Sequence, residues 1–496
     1  MDNRLELMKT SKIAKKLEQI NEQREAISQL VEAEVSSLDA KQEFSLFSPG
    51  EASGEELAGK MMVCVRTRPL LEHEAGHLVT VHTSNPSILV TEPTSRSVRT
   101  EQFKISSSKF QVDLAFGAED DNDAVYSATC LPLLERALQG GVGTLLTYGQ
   151  TGSGKTFTVT GLIRRLAGDI FSAENIGLHL SYIQLLGSRA TDLLADNKEV
   201  EIMEDKFGKV NIVGATEKKV EGEADFLCLA EESQKWRKTS TTLKNDTSSR
   251  SHMICRIRLE NYALKEAEDG FFFLIDLAGS ENAADTEFHD KERIKETKEI
   301  NKSLMCLKEC IRNRARAAAD PDTFVHIPFR QSKLTLLLKE AFELESFKLS
   351  RTVVIATVAP TILDMAMTLN TLRYAAPIKQ GIKNRAEREP DMRNPANWSN
   401  ERLVEWWVNK TKGRVQTKAL CPWESGRQFL SLPETEILTR ICNNSKISEK
   451  MAKDYYVSLW KLMVDAKIRE RKSRMKPLNS ALMKRNPPEP SVKICI

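Results

Sequence analysis

The stretch Gly149-Gln150-Thr151-Gly152-Ser153-Gly154-Lys155-Thr156 satisfies the phosphate-binding pattern G-x-x-x-x-G-K-[ST] at every fixed position. Its chemistry follows from its residue types. Glycines let the backbone wrap a pyrophosphate with N–H groups turned inward, Lys155 brings positive charge to the β and γ phosphates, and the Thr156 hydroxyl suits Mg²⁺. The flanks agree with the motif. The apolar run Gly143-Thr144-Leu145-Leu146-Thr147-Tyr148 reads as a strand, and Phe157 to Leu166 reads as a helix whose N-terminus faces the anion.

Two other stretches make this nucleotide site more specific. Asp276-Leu277-Ala278-Gly279-Ser280-Glu281 follows the apolar run Phe271-Phe272-Phe273-Leu274-Ile275. An Asp at a strand end is placed to hold Mg²⁺ through water, and the Gly279 N–H is placed to meet a γ-phosphate. Asn245-Asp246-Thr247-Ser248-Ser249-Arg250-Ser251-His252 gathers hydroxyls around one guanidinium. It offers Asn245, Ser248 and Ser249 to Mg²⁺ and phosphate, and Arg250 to a carboxylate such as Glu281.

Around these motifs, residues 61–383 alternate short β-like runs, among them Met61-Met62-Val63-Cys64-Val65 and Val353-Val354-Ile355-Ala356-Thr357-Val358, with helical stretches. That alternation predicts an α/β domain, a central mainly parallel sheet with helices on both faces, which binds ligands at the carboxyl ends of its strands. Ahead of it, residues 1–46 place Ile13, Leu17, Ile20, Ile27 and Val31 four and three apart. Arg24 interrupts that seam, so the segment reads as a helix docked on the neighbouring domain and not as a coiled coil. Residues 47–60 and the charged, Pro-containing 384–394 read as linkers. The aromatic-rich 395–472, with Trp398, Trp406, Trp407, Trp423, Phe429 and Trp460, reads as a small helical domain, and 473–496 as a basic, Pro-containing tail.

Composition narrows the function classes. With 41% hydrophobic and 28% charged residues over 496 positions, no stretch reaches the apolar length of a membrane span, and Met1 to Thr10 are too charged for a signal core. Nine cysteines form no C-x-x-C pair and no zinc spacing, so reduced thiols in the cytosol and no metal beyond nucleotide-bound Mg²⁺ are expected. A net charge of +3 without a DNA-reading module argues against nucleic acid. The basic cluster Lys467, Arg469, Arg471, Lys472, Arg474 and Lys476 reads as a solvated helix end or as a contact for an acidic partner.

The phosphate loop, N-x-x-S-S-R-S-H and D-L-A-G-S-E, in this order, resemble the kinesin motor domain over about two thirds of the chain. Arg66-Thr67-Arg68-Pro69 is similar to the family's adenine-side R-x-R-P, with Phe157 where His is frequent. His326-Ile327-Pro328-Phe329-Arg330-Gln331-Ser332-Lys333-Leu334-Thr335 is similar to its microtubule-facing segment, and Leu369 to Ala375 to its last helix. The resemblance implies an ATPase using ATP and Mg²⁺, with Thr156 and Ser249 reaching the metal, Gly279 sensing the γ-phosphate and an Arg250–Glu281 bridge closing the switches. It implies microtubules as partner through Lys302, Lys308, Glu309, Cys310, Arg312, His326, Arg330 and Lys333, and a place in the cytoplasm on the microtubule cytoskeleton, spindle and centrosome included.

Within the family, Glu299-Ile300-Asn301-Lys302-Ser303-Leu304, the triplet Lys308-Glu309-Cys310 and Ala284-Asp285-Thr286 resemble the kinesin-13 class, which depolymerises microtubules from their ends. That class carries a Lys-Val-Asp tip on an extended loop; the corresponding Glu92-Pro93-Thr94-Ser95-Arg96-Ser97-Val98-Arg99 lacks it. A depolymerase, a translocating motor and a nucleotide-dependent adaptor with little hydrolysis therefore all stand. The 395–472 region resembles a sterile-alpha-motif domain, which implies protein binding or self-association beside the plainer reading of a helical cap.

Overall fold

The computed structural model describes residues 18–39, 61–97, 100–173, 175–205, 210–239, 250–262, 269–279, 291–319, 325–339, 350–379, 391–443, 445 and 447–485. The chain divides into two compact units, one of Met1–Tyr262, Asp269–Ala315 and Ile327–Ile382, the other chiefly Lys383–Ile496.

The larger unit is organised by strands that are apolar at successive positions, as strands covered on both faces must be. Its strands are β1 (Met61–Thr67), β2 (Val81–Ser84), β3 (Ser87–Ser97), β4 (Thr100–Gln111), β5 (Leu114–Phe116), β6 (Val142–Tyr148), β7 (Ile176–Leu186), β8 (Arg189–Asp192), β9 (Lys198–Glu204), β10 (Val210–Val213), β11 (Lys218–Val220), β12 (His252–Asn261), β13 (Gly270–Asp276) and β14 (Ser350–Val358). The main sheet runs β10-β9-β8-β7-β12-β13-β6-β14-β1-β5, with β11 on β7. Pairing is parallel from β13 through β6, β14 and β1 to β5, and antiparallel from β13 outward through β12 and β7.

Alternation along these strands builds two cores. Val63, Val65, Leu146, Ile275, Val354 and Ala356 face one way, and Cys64, Leu145, Leu274, Val353 and Ile355 the other. The first face is covered by α6 (Lys291–Ala319), α7 (Lys333–Leu337) and α8 (Met365–Ala375), through Ile300, Leu304, Leu307, Leu334 and Leu372. The second is covered by α2 (Asn122–Thr129), α3 (Leu131–Leu138), α4 (Lys155–Phe171) and α5 (Glu223–Thr239), through Val125, Leu133, Leu162, Leu166 and Phe226.

Helix α1 (Arg24–Asp39) lies against the second, three-stranded sheet β2-β3-β4. Ile20, Ile27 and Val31 bury against Leu78 and Ile362, with Phe103 and Ile105 of β4 beside them. Ile20, Ile27 and Val31 of the seam are thus buried within the chain, and Arg24, which interrupts it, is exposed. Ile13 and Leu17 of the same pattern lie outside the described residues.

The smaller unit consists of α9 (Asn400–Thr411), α10 (Thr417–Leu420), α11 (Gly426–Ser431), α12 (Glu434–Asn443) and α13 (Glu449–Arg485). Ser399 caps α9 by accepting from the Arg402 N–H, and Ser425 with Gln428 forms a capping box on α11. The core centres on Trp407, which meets Phe429 edge-on at 5.8 Å, and on Leu403, Ile437, Ile441 and Leu459. Buried Glu424 is neutralised by Arg440 at 2.5 Å. The expected boundary at 472 falls inside α13, which continues to Arg485. Pro477 removes one N–H donor, and the good helix formers Leu478, Ala481, Leu482, Met483 and Lys484 carry the helix on.

Truncating Ile27 to Ala should weaken the docking of α1 by about 2–4 kcal/mol. Hydrogen exchange should then accelerate over 24–39 while β6 and β13 keep their protection; unchanged exchange in α1 would refute its docking role.

Candidate functional site

Register decides which residues meet at the carboxyl edge of the sheet. Asp276 ends β13 opposite Thr147 of β6, and Ala356 of β14 stands opposite Tyr148. The loop 149–154 therefore leaves β6 between the ends of its two neighbours, and α4 starts at Lys155.

Steric demands explain the loop's glycines. A Cβ at Gly149 would collide with the Thr357 carbonyl, and Gly152 and Gly154 adopt left-handed φ of +78° and +99°. Ser153 Oγ donates to Gln150 O at 2.7 Å and pairs with Thr357 Oγ1 at 2.7 Å, which pins the loop to β14. Lys155 is buried, and its Nζ donates to the Gly149 and Gln150 carbonyls at 2.9 and 2.8 Å. Thr151 is exposed at the tip.

One carboxylate gathers the rest. Asp276 Oδ2 accepts from Thr156 Oγ1 at 3.0 Å and from Arg237 Nη1 at 2.6 Å, with Arg237 and Asp276 side chains only 2% and 1% exposed. Arg237, near the end of α5, also donates to Ser251 O at 2.6 Å and Ser251 Oγ at 3.3 Å, and Gln184 Nε2 donates to that same Oγ at 3.0 Å. A single guanidinium thus joins the phosphate-loop threonine, the strand-end aspartate and the close of the N-x-x-S-S-R-S-H motif. Sequence reading missed Arg237 and Gln184 and gave Ser251 no role of its own within its motif; in Lys235-Trp236-Arg237-Lys238 the arginine looks like surface charge. Asp276, expected to reach a metal through water, here spends its carboxylate on Arg237 and Thr156.

The R-x-R-P residues separate by role. Buried Arg66 donates to Asn122 Oδ1 at 2.7 Å and Thr158 Oγ1 at 3.0 Å, which fixes its guanidinium 5.6 Å from the ring centre of Phe157. Phe157 is 66% exposed, an open flat face. Arg68 instead clamps the phosphate loop: Nε donates to Gly152 O at 2.8 Å while Nη1 and Nη2 bind both oxygens of Glu74 at 2.6 and 2.5 Å. The bond from Arg68, outweighing burial, holds the Glu74 carboxyl below the usual carboxylate range. Pro69 is exposed.

Gly279 is buried three residues beyond Asp276, and Arg250 is half-buried beside Ser251. Asn245, Ser248, Ser249 and Glu281 lie outside the described residues. On α6, Lys302, Glu309 and Arg312 are exposed, while half-buried Lys308 lies 5.5 Å from the Tyr374 ring centre. Cys310 is fully buried, and its assignment to a partner-facing surface does not hold. It shares the inward face of α6 with Leu307 and Ile311, as a helical period of about 3.6 requires. Arg330 is 68% exposed but pairs with Glu204 at 2.7 Å, where Lys339 also binds at 2.9 Å. Burial raises the Glu204 pKa, yet Lys339 and Arg330 hold it below the usual range. His326 is exposed and Lys333 half-buried.

The donor set fits a nucleoside triphosphate with Mg²⁺: an open glycine turn, an ammonium at its centre, and a threonine hydroxyl beside a carboxylate. Among the described residues no cluster of His, Cys, Asp and Glu forms another metal site. A phosphate loop on the central strand, with D-x-x-G at the end of its neighbour and Ser251 tied to that aspartate through Arg237, defines a P-loop nucleotide-binding protein. The chain belongs to the kinesin family, whose motor domain model matches residues 66–380.

Relatives agree. The chain is 38% identical over 282 residues, 56% of its length and 43% of the relative's, to "Diatom spindle kinesin-1" from Cylindrotheca fusiformis. It is 35% identical over 369 residues, 69% of its length and 44% of the relative's, to "Kinesin-like protein KIN-13A" from Oryza sativa subsp. japonica. The chain thus spans less than half the length of these curated relatives. Among solved structures, the KIF14 dimer, residues 391–772, with AMP-PNP in complex with a microtubule superposes with a TM-score of 0.56 at 29% identity, covering 68% of this chain and 97% of that one.

Arg237→Ala leaves the Asp276 carboxylate buried without its cation, and should cost about 3–5 kcal/mol in thermal or denaturant unfolding; a loss below 1 kcal/mol would refute the burial argument. The Glu74 carboxyl, depressed in the folded state, contributes stability above its unfolded pKa of about 4.3 that disappears as pH falls through the lower folded value. Glu74→Gln should therefore lower Tm at pH 7, by an amount that shrinks as the pH is taken down through the lowered folded value.

Proposed function

We propose that this chain is a microtubule-stimulated ATPase of the kinesin-13 type. The convergence of Thr156, Arg237 and the end of the N-x-x-S-S-R-S-H motif on Asp276 carries the reading, because it links the phosphate loop to both switch segments through one point. In it, the 149–154 backbone and Lys155 hold the triphosphate, and Arg66 and Phe157 flank the base. Thr156 and Ser249 would hold Mg²⁺, which when bound neutralises charge on the β and γ oxygens. Asn245 and Ser248 would join the site from the first switch, Gly279 would donate its N–H to the γ-phosphate, and Arg250 with Glu281 would close the switches around it.

Phosphoryl transfer needs charge neutralisation and a placed water more than a covalent catalyst, so closure around the γ-phosphate is where control enters. The exposed face of α6, with Lys302, Glu309 and Arg312, and the exposed His326 and Arg330 supply the contact to acidic tubulin. On this reading the protein works on the microtubule cytoskeleton. Depolymerisation is favoured by the Lys308-Glu309-Cys310 triplet and the KIN-13A relative, and is opposed by the lack of a Lys-Val-Asp tip in the stretch 92–99. The smaller helical unit is read as a protein-binding or self-associating module.

ATP turnover by the purified chain, alone, with unpolymerised tubulin and with stabilised microtubules, tests this while microtubule length is imaged. Strong stimulation with shortening from the ends is expected; stimulation without shortening removes the depolymerase, and no stimulation removes the motor. Lys155→Ala should reduce turnover by at least about 100-fold under all three conditions.

A further inference from the structure

We infer that His252 is the positioning residue that transmits movement of the γ-phosphate-sensing backbone to helix α6, through a directed chain of three hydrogen bonds that runs through Ser303 and ends on the Ile300 carbonyl. His252 opens β12 directly after Ser251, and its ring is buried between two elements that no strand pairing joins. Its Nδ1 accepts from the Ala278 N–H at 3.1 Å, in the segment between Asp276 and Gly279. Its Nε2 lies 2.8 Å from Ser303 Oγ on α6, and Ser303 Oγ donates to the Ile300 carbonyl at 2.7 Å.

The roles in this chain are forced. A backbone N–H can only donate, so Nδ1 carries the lone pair and Nε2 the proton. Nε2–H then donates to Ser303 Oγ, whose own proton goes to Ile300 O, and each of these atoms is used. A cationic ring would have no acceptor for Ala278. Burial, with the Arg237 charge nearby, depresses the imidazole pKa to about 3, so the ring stays neutral and the direction of the chain is constant at working pH.

Apolar contacts between the sheet and α6 are non-directional and let surfaces slide, whereas hydrogen bonds constrain both the distance and the angle between their partners. Displacing the Ala278-Gly279 backbone toward a ligand therefore either pulls the His252 ring and Ser303 with it or breaks a buried bond, at a cost large enough to bias α6. Ser303 adjoins Lys302 on the turn that bears the exposed α6 face, so the displacement arrives where the partner contact lies. The inference deepens the proposed microtubule-stimulated ATPase and rests on it for its functional meaning, although the mechanical link is testable alone.

The experiment uses the full chain and the variants Ser303→Ala, which keeps the Ala278 bond and removes the far end, and His252→Asn, whose shorter amide keeps an acceptor for Ala278. Hydrogen exchange of peptides covering 298–312 is compared with ADP and with AMP-PNP, without microtubules. The wild type should show a nucleotide-dependent difference that both variants lose. Basal ATP turnover should stay within about twofold, microtubule-stimulated kcat should fall about tenfold, and the double variant should be no worse than the worse single one. The inference is overturned by equal exchange in the two nucleotides for the wild type, by a difference that persists in the variants, by additive losses in the double variant, or by basal and stimulated turnover falling together. A wild type that microtubules do not stimulate refutes the ATPase reading instead, and the exchange comparison still decides the link.

Discussion

A carboxylate almost wholly removed from water at the end of β13 governs the arrangement of the nucleotide site, because a buried anion must be neutralised where it stands. Asp276 obtains that neutralisation from Arg237 and shares its oxygens with Thr156. Those two side chains come from α5 and from the first turn of α4, so the C-terminal end of one helix and the N-terminal end of another are referred to one point. Arg237 is equally constrained. With its guanidinium 2% exposed, it needs acceptors on every edge, and it takes them from the Ser251 carbonyl and hydroxyl. The backbone entering β12 is thereby tied to the same centre, and any ligand that shifts one member must shift the others.

The sheet makes this convergence possible. Parallel β13, β6 and β14 end at the same edge, and each contributes one part: the aspartate, the phosphate loop and Thr357, which holds that loop through Ser153. Helices on the first face connect the edge to a surface. α6 buries Ile300, Leu304, Leu307 and Cys310 against the sheet and turns Lys302, Glu309 and Arg312 outward. One helix therefore carries both the core contact and the charged face, and a rotation of the first is a displacement of the second. His252 and Ser303 supply the directed contact that packing alone lacks.

Local patterns revealed much of this. The phosphate loop was legible because its glycines, lysine and threonine answer to the backbone and charge demands of a single turn, and the strands around it because apolar runs buried on both faces read as strands. The seam Ile20, Ile27 and Val31 announced a docked helix. Other residues were illegible for a common reason: their partners are remote in sequence. Arg237 meets an aspartate 39 residues away, and Arg330 a glutamate 126 residues away. Arg68 and Arg66, two residues apart in one motif, divide between the loop and the base-side face because Arg66 still belongs to β1 whereas Arg68 lies beyond its end at Thr67. Cys310 could have been placed inside from the helical period it shares with Leu307 and Ile311; its neighbours in the triplet obscured that.

By itself, then, the sequence determined the fold class, the ligand-bearing loop and the family, since each depends on short-range periodicity or on residues adjacent in the chain. Tertiary structure alone decided which charge neutralises Asp276 and which side chains hold the loop in place. Those outcomes depend on desolvation and on strand register, and both arise only when segments far apart in the chain are brought into contact.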